Sequence, residues 1–291
     1  MSFDIDSILQ QAARALVAGN HPAAQTISRK LLYDQPNALA LEILSTSLIN
    51  QIERRSASSQ AGKSSVDQFI AHHLLYLDPV FFAEDYIEWR TRRIRKLLEI
   101  YGIDFTDKRI LELGAAIGDI GSFFAELGAE VVGLEGRAVN CNLAKLRFRH
   151  LKNYDIRQCN LEEGLGDLGR FDLIINFGLI EVIENFEPLL KTCMDISDTM
   201  FLETMVCDSE DPHKLVYVNM PAEQSNDWPL SGKSPRPSPA YIERLFSENG
   251  FTVRRHFDHD INTGFHCYDW PHRNDGSAKE QLRRFWSFVQ E

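Results

Sequence analysis

A glycine-rich turn follows a short apolar strand in residues 110–121, ILELGAAIGDIG. Gly114 and Gly118 allow the backbone to bend sharply and to approach a ligand closely, because a Cβ atom at either position would collide with it. The residues after the turn predict a helix, whose free N–H groups and positive dipole end favour a carboxylate. The segment therefore predicts a main-chain site for a ligand that carries a carboxylate.

An acidic residue, Glu135, ends the second predicted strand, AEVVGLEG. A carboxylate at this point of a nucleotide-binding fold hydrogen-bonds the hydroxyl groups of a ribose. A dinucleotide prefers the pattern GxGxxG, but here Ala116 takes the position of the middle glycine. Two kinds of ligand fit at this stage: a dinucleotide, or a nucleoside with an amino-acid end.

The pattern Glu112-x-Gly114-x-Ala116-x-Gly118 resembles motif I of class I S-adenosylmethionine-dependent methyltransferases, with Ala116 in place of one glycine. The strand FDLIINFG and the following LIEVIE resemble the fourth strand of that family and the segment after it. The resemblance covers about 105–205 and extends more weakly to about 268. It implies an α/β fold with a doubly wound, mostly parallel Rossmann-like sheet, and S-adenosyl-L-methionine as the cofactor.

The same resemblance implies which residues contact the cofactor. Glu135 matches the acid that holds the adenosine ribose, and Asn160 stands where an aspartate commonly faces the adenine amine. The expected cofactor-binding residues are Glu112, Gly114, Ala115, Ala116, Gly118, Asp119, Glu135, Gly136, Asn160, Leu161, Asn176 and Phe177. Two alternatives stay open: a structural role for Glu112, and a Rossmann-like domain that binds another nucleotide or none.

A general base is required only when the methyl acceptor has a high pKa, as a sugar hydroxyl does. The candidate catalytic residues are Glu181, His213 and His266, with a surface or packing role as the alternative for each histidine. Val182 replaces the histidine that is usual after the fourth strand of the family. We expect no metal, since His256 and His259 would point to opposite faces of a strand.

Strands and helices alternate from residue 108 onward, which is typical of parallel βαβ units. Residues 208–240 interrupt this rhythm with six prolines and predict a substrate lid or insertion. The sequences FTVRRHFDHDI and GFHCYDW predict a terminal antiparallel strand pair, and the tail KEQLRRFWSFVQE predicts a short amphipathic helix.

Residues 1–52 carry small and apolar residues at helical spacing and resemble a tetratricopeptide repeat, with a helical hairpin packed on the main domain as the alternative. Such a module would bind a protein partner. A polar Ser-rich stretch at 53–66 predicts a flexible linker. The remaining 67–291 form the expected methyltransferase domain, with a helical lead-in at 67–101.

The 291 residues include 44% hydrophobic and 25% charged residues, which excludes wholesale disorder and a coiled coil. The net charge of −11 weighs against nucleic acid and anionic membrane as partners. Five cysteines without a CxxC pair, and no apparent secretory signal, favour a cytoplasmic location. A basic cluster lies at Arg90, Arg92, Arg93, Arg95 and Lys96, either as a solvated helix face or as a rim for an anionic substrate.

The sequence thus predicts a methyltransferase that modifies a hydroxyl or an amine of a small molecule or saccharide. Two alternatives remain at this stage. One is a methyltransferase that modifies tRNA, and the other is a non-catalytic scaffold that binds the cofactor and serves the helical module.

Overall fold

A computed structural model describes residues 5–34, 43, 47, 84–220, 229, 231–257, 259–263, 266–278 and 282–290. The chain forms two compact units, Met1–Glu88 and Trp89–Glu291. The expected linker at 53–66 and the part of the helical lead-in before residue 84 lie outside the described residues. None of the helices in the described ranges is long and apolar enough to cross a membrane.

Within residues 5–34, the first unit forms the helices α1 (Ile5–Val17) and α2 (His21–Asp34), joined by a short turn. Gly19 has a φ of 71° in this turn, a conformation that glycine adopts without steric cost. Ala12 and Ala24 are fully buried where α1 and α2 pack, together with Ile43. The helical prediction is confirmed for these two segments, whereas tetratricopeptide geometry stays a prediction.

The second unit is built on a seven-stranded sheet. Its strands are β1 (Arg109–Leu113), β2 (Glu130–Glu135), β3 (Tyr154–Gln158), β4 (Leu173–Phe177), β5 (Thr199–Met205), β8 (Phe251–His256) and β9 (Arg283–Gln290), and β6 (Leu215–Asn219) and β7 (Lys233–Pro237) form a separate hairpin. The α-helices of the described residues from Glu84 onward are α3 (Glu84–Tyr101), most of which belongs to this unit, α4 (Asp119–Glu126), α5 (Ala138–Arg147), α6 (Phe186–Ile196) and α7 (Pro239–Ser247).

The strand order in the sheet is β3-β2-β1-β4-β5-β9-β8. The first five of these strands are mutually parallel, and β9 runs antiparallel to both β5 and β8. The prediction of a mostly parallel, doubly wound sheet is therefore confirmed. Because parallel strands end at the same edge, the turns after β1, β2, β4 and β5 meet there, and we name it the carboxyl edge.

Both faces of the sheet are covered, which is why its central strands are apolar along their whole length. On one face, Leu111, Ile174 and Leu202 pack in a single cluster with Phe186 of α6 and Phe246 of α7. On the other face, aromatic rings pack together, as Phe105 of the loop before β1 does against Phe124 of α4 with centroids 4.8 Å apart. The packing of these apolar strands thus fixes where each strand ends, and with it the positions of the turns at the carboxyl edge.

The C-terminal segment departs from the prediction of an amphipathic helix, because residues 283–290 form strand β9. The partner of β8 is β9, and Cys267 makes only an isolated bridge with Leu282, so the predicted pairing of β8 with the segment around residue 267 was also wrong. Trp286 and Phe285 point to opposite faces of the sheet and are both fully buried. Strand β9 lies between β5 and β8 and buries both of its faces. Its sequence therefore lacks the alternation of apolar and polar residues by which a half-buried strand is recognised.

Within the excursion at 208–240, β6 and β7 form an antiparallel hairpin that contacts the turn Ile180–Val182 through Ser234. Residues 221–228 and 230 lie outside the described residues. The function of this segment as a substrate lid stays a prediction.

Candidate active site

The turn between β1 and α4 is held against the neighbouring strand by main-chain hydrogen bonds. The N–H groups of Gly114 and Ala115 both donate to the carbonyl oxygen of Leu134, at 2.9 Å each. Gly114 and Gly118 have φ angles of 72° and 85°, in the left-handed region that favours glycine. A Cβ built on Gly118 would lie 2.9 Å from a ring carbon of Phe148, so a side chain is excluded there.

Glu135, the last residue of β2, reaches across to this turn. Its Oε2 accepts a hydrogen bond from the Ala116 N–H at 2.8 Å, and its Oε1 accepts one from the Arg137 N–H, also at 2.8 Å. Burial raises the pKa of this carboxyl, although these bonds act in the opposite direction. Gly136, which is half-buried, separates Glu135 from Arg137 in the sequence. A carboxylate offers about four acceptor positions, so Glu135 retains capacity to accept from ribose hydroxyl groups.

Glu112 contacts Tyr154 of β3 and the start of α4. Its Oε2 accepts a hydrogen bond from the hydroxyl of Tyr154 at 2.6 Å, and a Cβ built on Gly121 would collide with the same oxygen at 2.3 Å. Burial raises the pKa of Glu112 to about 8, against the opposing effect of hydrogen bonds from Tyr154 and the Gly121 N–H. These contacts favour the structural role, in which Glu112 joins β1, β3 and α4.

Asp119, the first residue of α4, is an ion-pair partner of two arginines. Arg147 lies 2.6 Å from its carboxylate, and Arg90 forms a second, shorter contact. Burial alone would raise the pKa of Asp119, but the guanidinium groups of Arg147 and Arg90 outweigh it and lower the pKa. Arg147 also donates to the carbonyl oxygen of Ile117 at 2.6 Å. These contacts hold the N-terminus of α4 in position.

Asn160 and Leu161 follow β3, as the sequence predicts. The side chain of Asn160 is used within its own turn, where it donates to Glu163 at 2.8 Å and accepts from the Glu162 N–H at 3.3 Å. Leu161 is buried and belongs to the main core cluster. A contact of Asn160 with an adenine ring would therefore require it to exchange these local bonds.

Asn176 lies on β4 directly opposite Leu113, the residue that precedes the glycine-rich turn. Its side chain is fully buried, and neither its amide oxygen nor its amide nitrogen has a hydrogen-bond partner among the described residues. A buried amide without partners costs about 1–3 kcal/mol of stability. Phe177 points to the opposite face and packs 5.3 Å from the ring of Phe285.

A second cluster of charged residues occupies the carboxyl edge between β4, β5 and β9. Arg283 lies 2.5 Å from Glu181 and 2.5 Å from Glu203, and Arg93 of α3 lies 3.1 Å from Glu203. All four side chains are nearly or completely buried. Glu181 also accepts from the hydroxyl of Thr204 at 2.5 Å, so both of its carboxylate oxygens are engaged. We name these four residues the Arg–Glu cluster.

His266 lies against the Arg–Glu cluster. Its ring stacks on the indole of Trp89 with centroids 4.0 Å apart, and the guanidinium of Arg93 covers the same indole at 3.5 Å. Burial, together with the positive charges of Arg283 and Arg93, lowers the pKa of His266 to about 2. Its Nδ1 lies 3.1 Å from the Thr263 hydroxyl. His266 is therefore a neutral imidazole in the pH range of most enzymes.

His213, the third candidate catalytic residue, lies elsewhere. It is exposed before β6, and its backbone N–H donates to Asp211 at 2.9 Å. His256 is buried and lies 3.0 Å from the hydroxyl of Ser287, which makes it a packing residue. No group of three or more His, Cys, Asp or Glu residues among those described is arranged to hold a metal ion.

The family of methyltransferase domains matches residues 86–256, more than half of the chain. The chain belongs to the methyltransferase domain family. The matched range includes the glycine-rich turn, Glu135, Asn176 and three members of the Arg–Glu cluster. Arg283 lies beyond it, on β9.

Two named relatives of this methyltransferase are ubiquinone biosynthesis O-methyltransferases. The protein of Chelativorans sp. (strain BNC1) is 29% identical over 105 residues, which cover 35% of this chain and 42% of that protein. The protein of Mesorhizobium japonicum is 31% identical over 90 residues, which cover 31% of this chain and 36% of that protein. The chain thus spans less than half the length of these relatives.

Solved structures with the same fold include the N-terminal domain of EvdMO1. Its crystal structure with SAH bound is 20% identical, has a TM-score of 0.53, and is matched over 83% of this chain and 96% of that chain. Its structure in the presence of SAH and D-fucose has a TM-score of 0.52 at 20% identity, over 68% and 82% of the two chains. At this identity the likeness establishes the fold of the methyltransferase.

The sequence did not indicate the Arg–Glu cluster as a unit. The sequence predicts a helix around Arg283. In the structure Arg283 is the first residue of the antiparallel strand β9, so it lies at the carboxyl edge, opposite Met205. The aromatic and β-branched residues of RRFWSFVQ, which favour strands, were the signal that could have identified β9, and with it the position of Arg283.

Proposed function

We propose that this protein transfers a methyl group from S-adenosyl-L-methionine to a hydroxyl, or an amine, of a small molecule or saccharide. The observation that carries the proposal is the hydrogen bond between Glu135 and Ala116 at the carboxyl edge. It places a buried carboxylate directly beside a turn in which Gly114, Ala116 and Gly118 have positive φ angles. Bound S-adenosyl-L-methionine would supply an electrophilic sulfonium methyl group for the acceptor.

Three features of the chain fit this cofactor. The turn at 114–118 leads into α4, whose first-turn N–H groups would receive the amino-acid carboxylate. The remaining acceptor positions of Glu135 would receive the ribose hydroxyl groups. Asn176 would gain the hydrogen-bond partner that its buried amide lacks among the described residues.

His266 is the best placed of the three candidate bases. Its imidazole is neutral, and its Nδ1 is positioned by Thr263, which leaves Nε2 for a proton from the acceptor. Both oxygens of Glu181 are engaged, so we assign it the role of holding Arg283. His213 is exposed and makes no described contact with either cluster, which does not favour a catalytic role.

The choice of acceptor rests on chemistry and on the named relatives. A hydroxyl must lose a proton during methylation, and the neutral imidazole of His266 is a proton acceptor, whose pKa of about 2 must rise in the complex for it to act as an effective base. The ubiquinone biosynthesis enzymes are named O-methyltransferases, and EvdMO1 was crystallised in the presence of D-fucose.

We also propose that residues 1–52 form a tetratricopeptide-like module that binds a protein partner.

Calorimetry with S-adenosylhomocysteine tests the cofactor site. We expect binding to the wild type and a loss of at least tenfold in affinity for Glu135→Ala, because a hydrogen bond to a charged group contributes about 1.5–3 kcal/mol. Glu130→Ala is the matched control, since Glu130 lies exposed at the other end of β2. Absence of binding to the wild type, or equal affinities for both variants, would contradict the proposal.

The acceptor class is tested by incubating the protein and radiolabelled S-adenosylmethionine with fractionated cell extract. We expect label in the small-molecule fraction. Label confined to RNA, or no transfer to any fraction, would overturn the assigned acceptor class.

A further inference from the structure

The Arg–Glu cluster holds more hydrogen-bond donors than its carboxylates satisfy. Nη1 of Arg283 and Nε of Arg93 are buried, and neither has a partner among the described residues. Two guanidinium groups kept out of water with unused N–H groups carry a considerable energetic cost. An ion-pair network that served stability alone would use these donors.

The cluster also borders a position without a side chain. Gly178 follows β4 with a φ of 72°, and a Cβ built on it would lie 3.6 Å from Nη2 of Arg283 and 3.6 Å from Nη1 of Arg93. The same Cβ would lie 3.3 Å from the indole of Trp89. Gly178 therefore brings the backbone after β4 close to both guanidinium groups and to the indole, beside the end of β4 that carries Asn176.

The carboxylates of the cluster orient its arginines. Glu203 contacts both Arg93 and Arg283, whereas Glu181 contacts only Arg283 of these two arginines. These ion pairs fix the orientation of each guanidinium group. A planar guanidinium with remaining N–H groups matches the two oxygens of a carboxylate better than it matches any neutral group.

We propose that the methyl acceptor carries a carboxylate group, and that Arg93 and Arg283 form the subsite that binds it. This inference rests on the proposed function, because it names the substrate class of the same site. It selects hydroxy acids, such as a uronic acid or a phenolic acid, over neutral sugars and phenols.

The subsite would also control the base. Arg93 and Arg283 are the charged groups that lower the pKa of His266, and their carboxylate partners are Glu203 and Glu181. An acceptor carboxylate would offset part of this positive charge and raise the pKa of His266 from about 2. The imidazole would then become a stronger proton acceptor when the correct acceptor is bound.

Paired acceptors test the subsite: glucuronic acid against glucose, and 3,4-dihydroxybenzoate against catechol, with glucose 6-phosphate as an arm for phosphate. We expect kcat/KM for label transfer to be at least tenfold higher for the carboxylated member of at least one pair. Equal rates within both pairs, or a preference for the phosphate, would overturn the proposal.

Variants on α3 assign this preference to the subsite. Arg93→Met should reduce the carboxylate preference to near parity, Arg93→Lys should retain part of it, and Arg95→Met is the control because Arg95 is exposed on the same helix. S-adenosylhomocysteine affinity should stay unchanged in all three, which separates this test from failure of the proposed function. A carboxylate preference that survives in Arg93→Met would contradict the subsite.

A measurement independent of turnover uses the complex of the wild type with S-adenosylhomocysteine. The ring resonances of His266 are followed by NMR at a fixed neutral pH while glucuronate or glucose is added. We expect them to shift with glucuronate only, and unchanged resonances with glucuronate would count against the proposal even if Arg93→Met failed to fold.

Discussion

The carboxylate of Glu135 accepts a hydrogen bond from the backbone N–H of Ala116 at 2.8 Å. This bond joins the end of β2 to the turn after β1, and it holds Ala116 at a φ of 46°, in the left-handed region. Alanine adopts this conformation at a cost of about 1–2 kcal/mol. The turn is thus kept in its shape by an acidic side chain from the neighbouring strand.

Substitutions at Ala116 should depend on this conformation. Ala116→Gly relieves the left-handed strain but increases the entropy of the unfolded chain by about 0.4–1 kcal/mol, so we expect a change in unfolding free energy within about 1 kcal/mol. Ala116→Val should destabilise by more than 1 kcal/mol, because β-branched residues are rare in this region. Urea denaturation of the three proteins measures both effects, and equal stability of the valine variant would disprove the argument.

Gly118 is predicted to tolerate no side chain. Gly118→Ala combines a φ of 85° with a Cβ that would lie 2.9 Å from Phe148 and 3.0 Å from Ala144. Gly166→Ala is the matched control, because its φ of 68° is similarly positive but nothing lies within 4 Å of its Cβ. We expect Gly118→Ala to lose about 1–3 kcal/mol more than the control from overpacking.

The same comparison should separate binding from folding. Gly118→Ala should also weaken S-adenosylhomocysteine binding in calorimetry, whereas Gly166→Ala should not. Equal losses of stability and of affinity in the two variants would show that the collision of a Cβ at position 118 with α5 is not what requires glycine there.

The turn after β1 and the acid after β2 were predictable from the sequence because each depends on a few adjacent residues. An apolar strand, glycines at 114 and 118, and an acid at 135 determine their own local geometry. The structure agrees on these positions, and the family match covers them.

Other features depend on contacts between distant segments, so local patterns could not indicate them. Whether Glu112 faces a ligand or Tyr154 is decided by the packing of β3, which lies 42 residues away. Arg283 meets Glu203 only because β9 inserts antiparallel beside β5. For β9 itself, eight residues with aromatic groups on both faces are ambiguous between a strand and a buried helix.

Glu112 should make the stability of the protein depend on pH. Burial raises its pKa to about 8, from an ordinary value near 4.5, so the folded state binds a proton that the unfolded state has released between these values. Its contribution to stability is fully present below pH 4.5 and is lost as the pH rises through about 8. We expect Glu112→Gln, which keeps the size and an acceptor for Tyr154, to show a flatter decline in stability from pH 5 to 9.

Urea midpoints measured at intervals across this range test the prediction. Glu130→Gln is the control, because its exposed carboxyl should leave the pH dependence of the wild type intact. A decline that is as steep in Glu112→Gln as in the wild type would show that another group titrates.

Strand β9 should be essential to the stability of the sheet, although it lies at the end of the chain. Trp286 is fully buried in the main core cluster, and its Nε1 donates to Glu243 of α7 at 2.9 Å. Trp286→Ala should therefore cost about 3–5 kcal/mol through the cavity that it leaves. Val289→Ala, on the same strand but 41% exposed, should cost less than about 1 kcal/mol. Denaturant unfolding of the two variants gives the comparison. If β9 were instead a loosely attached tail, both variants would unfold at the midpoint of the wild type, because neither side chain would then lie within the cooperative core.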